Sequence, residues 1–200
     1  MKRIRLAITG GIGSGKSTAL ELLREMGYPT FSCDAIYKEM LKSQEYLKLL
    51  NEIFPEVFTD GIFDKARLSA TVFQNKESRE RLNSIAHPLI MKRLFEKMDK
   101  VSAGVTIAEV PLLFEIDAEK EFDYVFVIMR EKDARLDAIK NRDCLSTKEI
   151  QKRMDAQIDL YSNEGAEKLK QKNVFIINNN LSKTELRENL RNALAKINQL

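Results

Sequence analysis

The stretch GGIGSGKST, residues 10–18, fits Gly-x-x-x-x-Gly-Lys-Ser/Thr through Gly10, Gly15, Lys16 and Ser17. Its glycines remove side chains from a tight turn, so backbone N–H groups can close around phosphate oxygens. The flanks fit the same reading. An apolar run, IRLAIT (4–9), precedes the loop, and a helical pattern, STALELLREM (17–26), follows it. A helix beginning there adds its positive N-terminal potential to the loop. Lys16 can reach the β- and γ-phosphates, and the Ser17 hydroxyl can bind Mg²⁺. The loop therefore reads as the cradle of a nucleoside triphosphate. The guanine-reading Asn-Lys-x-Asp of GTP switch proteins is not present in that form.

Outward from the loop, three more apolar runs read as buried strands: VTIAEV (105–110), YVFVIM (124–129) and VFIINN (174–179). A weaker run, YPTFS (28–32), follows the first helix. Near-continuous apolar strands separated by helices imply a parallel sheet covered on both faces. The expected fold class is α/β, a three-layer nucleotide-binding fold with a five-stranded parallel sheet. Between residues 34 and 104 only helical patterns are evident: DAIYKEML, QEYLKLLNEIF, DKARLSATVF, SRERLNSIA and PLIMKRLFEKM. Seventy residues exceed one crossover, so 34–104 reads as a helical insertion. A charged helical stretch, 131–171, separates the last two strands. The nucleotide-binding core is then 1–33, 105–130 and 172–200. STKE (146–149) and SKTE (182–185) both have the form of a helix capping box.

The 200 residues carry 44% hydrophobic and 32% charged side chains, with no repeat or low-complexity linker. A net charge of +3 without basic runs gives no argument for nucleic acid. The two cysteines, Cys33 and Cys144, are far apart, and one histidine makes a zinc site improbable. No apolar run approaches the ~20 residues of a membrane span, and MKRIRLAIT is too short in its apolar part for a signal peptide. A monomer in the reducing cytoplasm is expected, without membrane or nucleic-acid partners.

Asp34 directly follows the second strand, so a right-handed crossover brings the carboxyl ends of the first two strands to one edge of the sheet and is expected to place Asp34 beside the glycine loop. A carboxylate there can accept or orient the proton of an attacking hydroxyl. The alternative is an N-cap of the helix AIYKEML, and one residue could do both. Glu109, near the end of VTIAEV, could hold a metal-bound water or be a surface acid without a role. His87 precedes Pro88, which suits the first position of a helix, and could donate to a substrate phosphate. Arg135 and Arg142 are seven apart and share a helix face, and Arg153 and Gln157 are four apart. A charged helical segment of this kind can close over a triphosphate and exclude water, which makes 131–171 a candidate lid. Three readings stay open on these residues: a kinase of dedicated acceptor, a nucleoside or nucleoside monophosphate kinase, and a nucleotide-dependent regulatory protein.

The ordered set LAITGGIGSGKST (6–18), CDAI (33–36), DGIFDKARLSATVF (60–73), IAHPLI (85–90), VPLLFE (110–115), RLDAIKNRD (135–143), RMDAQ (153–157) and VFIINN (174–179) resembles the dephospho-CoA kinase family over nearly the whole chain. The resemblance implies phosphorylation of the ribose 3′-hydroxyl of dephospho-CoA by ATP with Mg²⁺, the last step of coenzyme A synthesis. It further implies a helical substrate domain over 34–104 and a lid over 131–171. By motif position, ATP falls to Gly11, Gly13, Ser14, Gly15, Lys16, Ser17 and Thr18, with Arg142 from the lid. The catalytic group falls to Asp34, Lys16 and Arg142. The substrate falls to Asp34, Lys65, His87 and Glu115, and the metal to Ser17. Two positions depart from the family pattern. Ser32-Cys33-Asp34 stands where Asp-Ala-Asp is frequent, and Lys65 stands where arginine is frequent, keeping the charge without the bidentate fork.

Overall fold

The computed structural model describes residues 3–143, 150, 151, 154 and 157–197, with only the helical backbone described at 141–143. Contacts divide the chain into one unit of residues 1–31 and 100–200 and a second of residues 32–99.

The first unit is built on the apolar runs. β1 (Ile4–Thr9), β5 (Val105–Glu109), β6 (Tyr124–Met129) and β7 (Val174–Asn178) form, with the short β2 (Thr30–Ser32), a five-stranded sheet in the order β2-β5-β1-β6-β7. β1 pairs in parallel with β5 and β6, and β6 with β7. Crossovers of helix length are what parallel pairing requires. α1 (Lys16–Glu25) and α8 (Lys183–Ile197) pack against each other, one touching β5 and the other β7. Leu20 and Leu23 of α1 meet Leu186, Leu190 and Leu194 of α8 in the core formed with Leu6, Ile8, Ile107, Phe126 and Ile128. Fifteen residues in this cluster are buried, which is what makes the sheet a rigid support for the loop at its edge. The SKTE capping box forms as expected. Glu185 donates its N–H to Ser182 Oγ at 3.2 Å, and its carboxylate accepts the Ser182 N–H at 2.9 Å. STKE lies outside the described residues. Also in this unit are α6 (Lys132–Asp143) and α7 (Asn163–Leu169).

The strand order corrects the expectation that the second strand ends beside the glycine loop. β5 stands between β1 and β2, so β2 is two strand spacings from the glycine loop rather than its neighbour. The carboxyl end of β1 is flanked by strands reached in opposite directions. That is the switch point at which open α/β sheets bind ligands.

The second unit contains α2 (Cys33–Met40), α3 (Gln44–Ile53), α4 (Lys65–Gln74) and α5 (Lys76–Asp99). Its own core is Leu50, Phe54, Val57, Leu68 and Leu82. Two features depart from the sequence reading. β3 (Phe58–Thr59) and β4 (Ile62–Phe63) form an antiparallel hairpin within the stretch read as wholly helical. Its signal was Asp60-Gly61, which takes φ of 50° and 77°, the left-handed pair of a two-residue hairpin turn. Further on, the two helices expected on either side of His87-Pro88 are one 24-residue helix, α5, with Pro88 inside it. Leu82, Ala86, Leu94 and Met98 are buried along one stripe of that helix. Burying Leu94 and Met98 is worth about 1.5–3 kcal/mol each, enough to carry the helix through the ~3 kcal/mol penalty of an interior proline.

Candidate active site

The glycine loop leaves β1 at its carboxyl end and enters α1, whose N-cap, Gly15, is left-handed at φ 96°. Lys16 Nζ donates to the carbonyls of Gly10 at 2.7 Å and Gly11 at 3.1 Å. The ammonium is thereby held over the mouth of the loop. The Ser17 hydroxyl donates to Glu109 Oε1 at 3.0 Å. Glu109 is only 6% exposed, so it is not the surface acid allowed for above. The pair exists because β5 lies directly beside β1, with Ile8 opposite Glu109 in the register.

Three further side chains fasten the loop from distant parts of the chain. Asn179, following β7, donates its amide to the Ser14 carbonyl at 2.8 Å. Arg135 of α6 donates Nε to the Ile12 carbonyl at 2.9 Å. Gln157 Oε1 accepts the Ile12 N–H at 2.7 Å. A Cβ at Gly13, where φ is 78°, would run into the Arg135 backbone carbonyl, so this glycine is required by the close approach of α6. Arg135 is 9% exposed, and burial pulls its guanidinium pKa down from its ordinary value. Its charge is therefore set deep against the loop, and not on a solvated helix face. Beside these groups opens a cavity of ≈ 620 Å³, reached by Gly11 and Ser14 of the loop, Arg130 and Arg135, and residues 157–161. A volume of this size matches a small-molecule site.

The sequence-predicted residues distribute as follows. Gly11, Gly13, Ser14, Gly15, Lys16, Ser17 and Thr18 form the loop and the first turn of α1. Asp34 lies in the first turn of α2, exposed and with no partner among the described residues, and the N-cap position there is Ser32. The alternative of Asp34 as the cap is thereby removed. His87 lies mid-helix in α5 and not at a helix start, and burial lowers its pKa. Lys65 opens α4, exposed, next to the N-cap Asp64, whose carboxylate accepts the Arg67 N–H at 3.0 Å. Glu115 Oε1 accepts the Ile158 N–H at 2.8 Å, so it engages backbone within the first unit. Arg142 belongs to the backbone of α6. Arg153 lies outside the described residues. Two residues that fasten the loop carry no local signal for that role: Asn179, which ends the VFIINN run, and Gln157, four positions from Arg153.

The family model of dephospho-CoA kinase matches residues 4–184. The chain belongs to the dephospho-CoA kinase family. Its relatives include the dephospho-CoA kinases of Geobacillus kaustophilus, 34% identical over 94% of this chain and 93% of that protein, and of Deinococcus radiodurans, 37% identical over 73% and 72%. Among solved structures, TT1252 from Thermus thermophilus superposes with a TM-score of 0.81 at 30% identity, covering 98% of both chains. A dephospho-CoA kinase from Campylobacter jejuni gives a TM-score of 0.66 at 31% identity, covering 96% of both. A shikimate kinase from Acinetobacter baumannii, 14% identical with a TM-score of 0.56, shares the fold alone. The protein is thus a kinase of the dephospho-CoA kinase family on an α/β nucleotide-binding fold, as its motifs imply.

Proposed function

We propose that this chain transfers the γ-phosphoryl group of ATP to the ribose 3′-hydroxyl of dephospho-CoA, giving CoA and ADP. One observation carries the reading. The family match runs from residue 4 to residue 184, through the second unit as well as the glycine loop, and so reaches beyond what nucleotide-binding kinases share.

In this reading the loop N–H groups of residues 13–18 hold the phosphates, and Lys16 follows the charge that develops on the transferring group. Asp34 accepts the hydroxyl proton as the new O–P bond forms and the bond to the β-phosphate oxygen breaks. Its exposure and the lack of a competing partner among the described residues support that role. Arg142, set two turns beyond Arg135 on α6, serves the phosphates. Lys65, His87 and Glu115 serve the substrate. The oxygen pair of Ser17 and Glu109 fits Mg²⁺, which takes one or two carboxylates plus substrate phosphates and not a caged site. Held by these two residues, the ion would supply positive charge to the nucleotide's phosphates. A monomer acting in the cytoplasm completes the reading.

The test is turnover of ATP with dephospho-CoA against adenosine, AMP and CMP as acceptors. Dephospho-CoA should exceed the others in kcat/KM by orders of magnitude. Comparable values for a nucleoside monophosphate would instead make this a nucleotide kinase, and ATP hydrolysis indifferent to every acceptor would make it a regulatory protein.

A further inference from the structure

Ile12, at the apex of the phosphate loop, is gripped at both ends of its own backbone. Its carbonyl takes the Arg135 Nε at 2.9 Å and its N–H gives to Gln157 Oε1 at 2.7 Å. It stands between Gly11 and Gly13, the latter at φ 78°, so the chain on either side has the widest conformational freedom available. From this geometry we infer that Gln157 is a positioning residue for ATP: a neutral brace that holds the loop apex in its binding form. The inference rests on the proposed use of this loop for ATP.

Two structures would produce an amide oxygen on a loop N–H. A plug would occupy a donor that the phosphate needs and would have to leave. A brace would stay. The neighbours of Gln157 favour the brace. Its Nε2 points at the Pro111 carbonyl, 3.4 Å away, and the next residue, Ile158, gives its N–H to Glu115 at 2.8 Å. Tyr161 follows, its hydroxyl donating to the Arg130 carbonyl at 2.8 Å. The stretch 157–161 is therefore bonded to the turn after β5 and to the end of β6. A side chain anchored in this way is poorly suited to swing out at each turnover. Glutamine also suits a brace chemically. It accepts strongly without adding negative charge beside a triphosphate. Holding the apex before ATP arrives reduces the ordering that binding must supply, and such preorganisation improves affinity for ground and transition states alike.

The experiment uses the full chain. In the free protein, exchange of the Ile12 amide is followed by NMR in wild type, Gln157→Ala and Gln157→Glu. Wild type and Gln157→Glu should protect this amide, since both present an acceptor, and Gln157→Ala should lose protection. This arm needs no nucleotide and so stands apart from the proposed reaction. Binding of a non-hydrolysable ATP analogue is then measured by calorimetry, with steady-state kinetics beside it. Gln157→Ala should weaken the analogue about three- to tenfold, the scale of one net hydrogen bond. The rise in ATP KM should exceed any fall in kcat. Gln157→Glu should also bind more weakly, by charge, and recover as salt is raised. Unchanged Ile12 protection in Gln157→Ala overturns the brace. So does tighter analogue binding by that variant, which is the signature of a plug, and so does a fall in kcat with analogue affinity intact.

Discussion

Asp34 and His87 are the two residues whose roles can be tested by replacing the titrating group while keeping a polar side chain. Asp34→Asn keeps size and exposure and disturbs no hydrogen bond among the described residues, since the N-cap position of α2 is Ser32. Loss of a general base typically costs ~10²–10⁴ in rate, and a loose phosphoryl transition state asks for the lower end. Asp34→Asn should therefore lose about 10² in kcat with ATP affinity preserved, measured by steady-state kinetics and calorimetry. A loss under threefold would remove Asp34 from the chemistry. His87 is the one histidine in the chain, and burial holds its pKa below the ordinary 6.5. The unfolded chain thus takes up its proton at higher pH than the folded one. His87 then costs no stability above about pH 6.5, and stability falls as pH drops through that value toward the folded pKa. Thermal melts at pH 7.5, 6.5 and 5.5 should show this decline, and His87→Gln should flatten part of it. An identical pH slope in the variant would assign the decline to carboxylates.

At the scale of elements, α5 makes the sharpest statement. The buried stripe Leu82, Ala86, Leu94 and Met98 drives one continuous helix past Pro88, which has no N–H for the Ser84 carbonyl. Pro88→Ala restores that donor and removes the ring clash. It should stabilise the protein by ~1–3 kcal/mol, read as a rise in denaturation midpoint at constant m-value. A destabilised variant would mean that the pyrrolidine ring packs in a way worth more than the missing bond. The β3–β4 hairpin carries the opposite lesson. Its strands are two residues each, too short for any alternation, and Asp60-Gly61 alone signalled it. In α8 the capping box was legible because its partners, Ser182 and Glu185, lie within one turn.

At the scale of the molecule, one hydrophobic core among the described residues lies in the first unit and another in the second. Phe54 is 1% exposed in the smaller core, with the Arg81 guanidinium 5.6 Å from its ring centre. Phe54→Ala should cost about 3–5 kcal/mol. Native-state hydrogen exchange locates the loss. Amides of α3, α4 and α5 should exchange faster, while those of β1, β5 and β6 keep their protection. Equal acceleration throughout would show one cooperative unit in place of two.

Much of this protein was determined by sequence alone. The phosphate loop, the five strands, the capping box at Ser182 and the family resemblance all rest on residues close together in the chain, where spacing and apolar periodicity are the physical cause of the structure. Strand order was not determined in that way, and most of the site depends on it. Placing β5 beside β1 brought Glu109 to Ser17, 92 positions away. The folded sheet also brought Asn179 to Ser14 across 165 positions and Gln157 to Ile12 across 145. Nothing local distinguishes a glutamate at the end of one strand from a surface acid, or a glutamine after one helix from a solvated side chain. Their partners exist only once crossovers have set which strands are neighbours. Pro88 followed the same rule: the local preference was a helix start, and burial along the whole of α5 outweighed it.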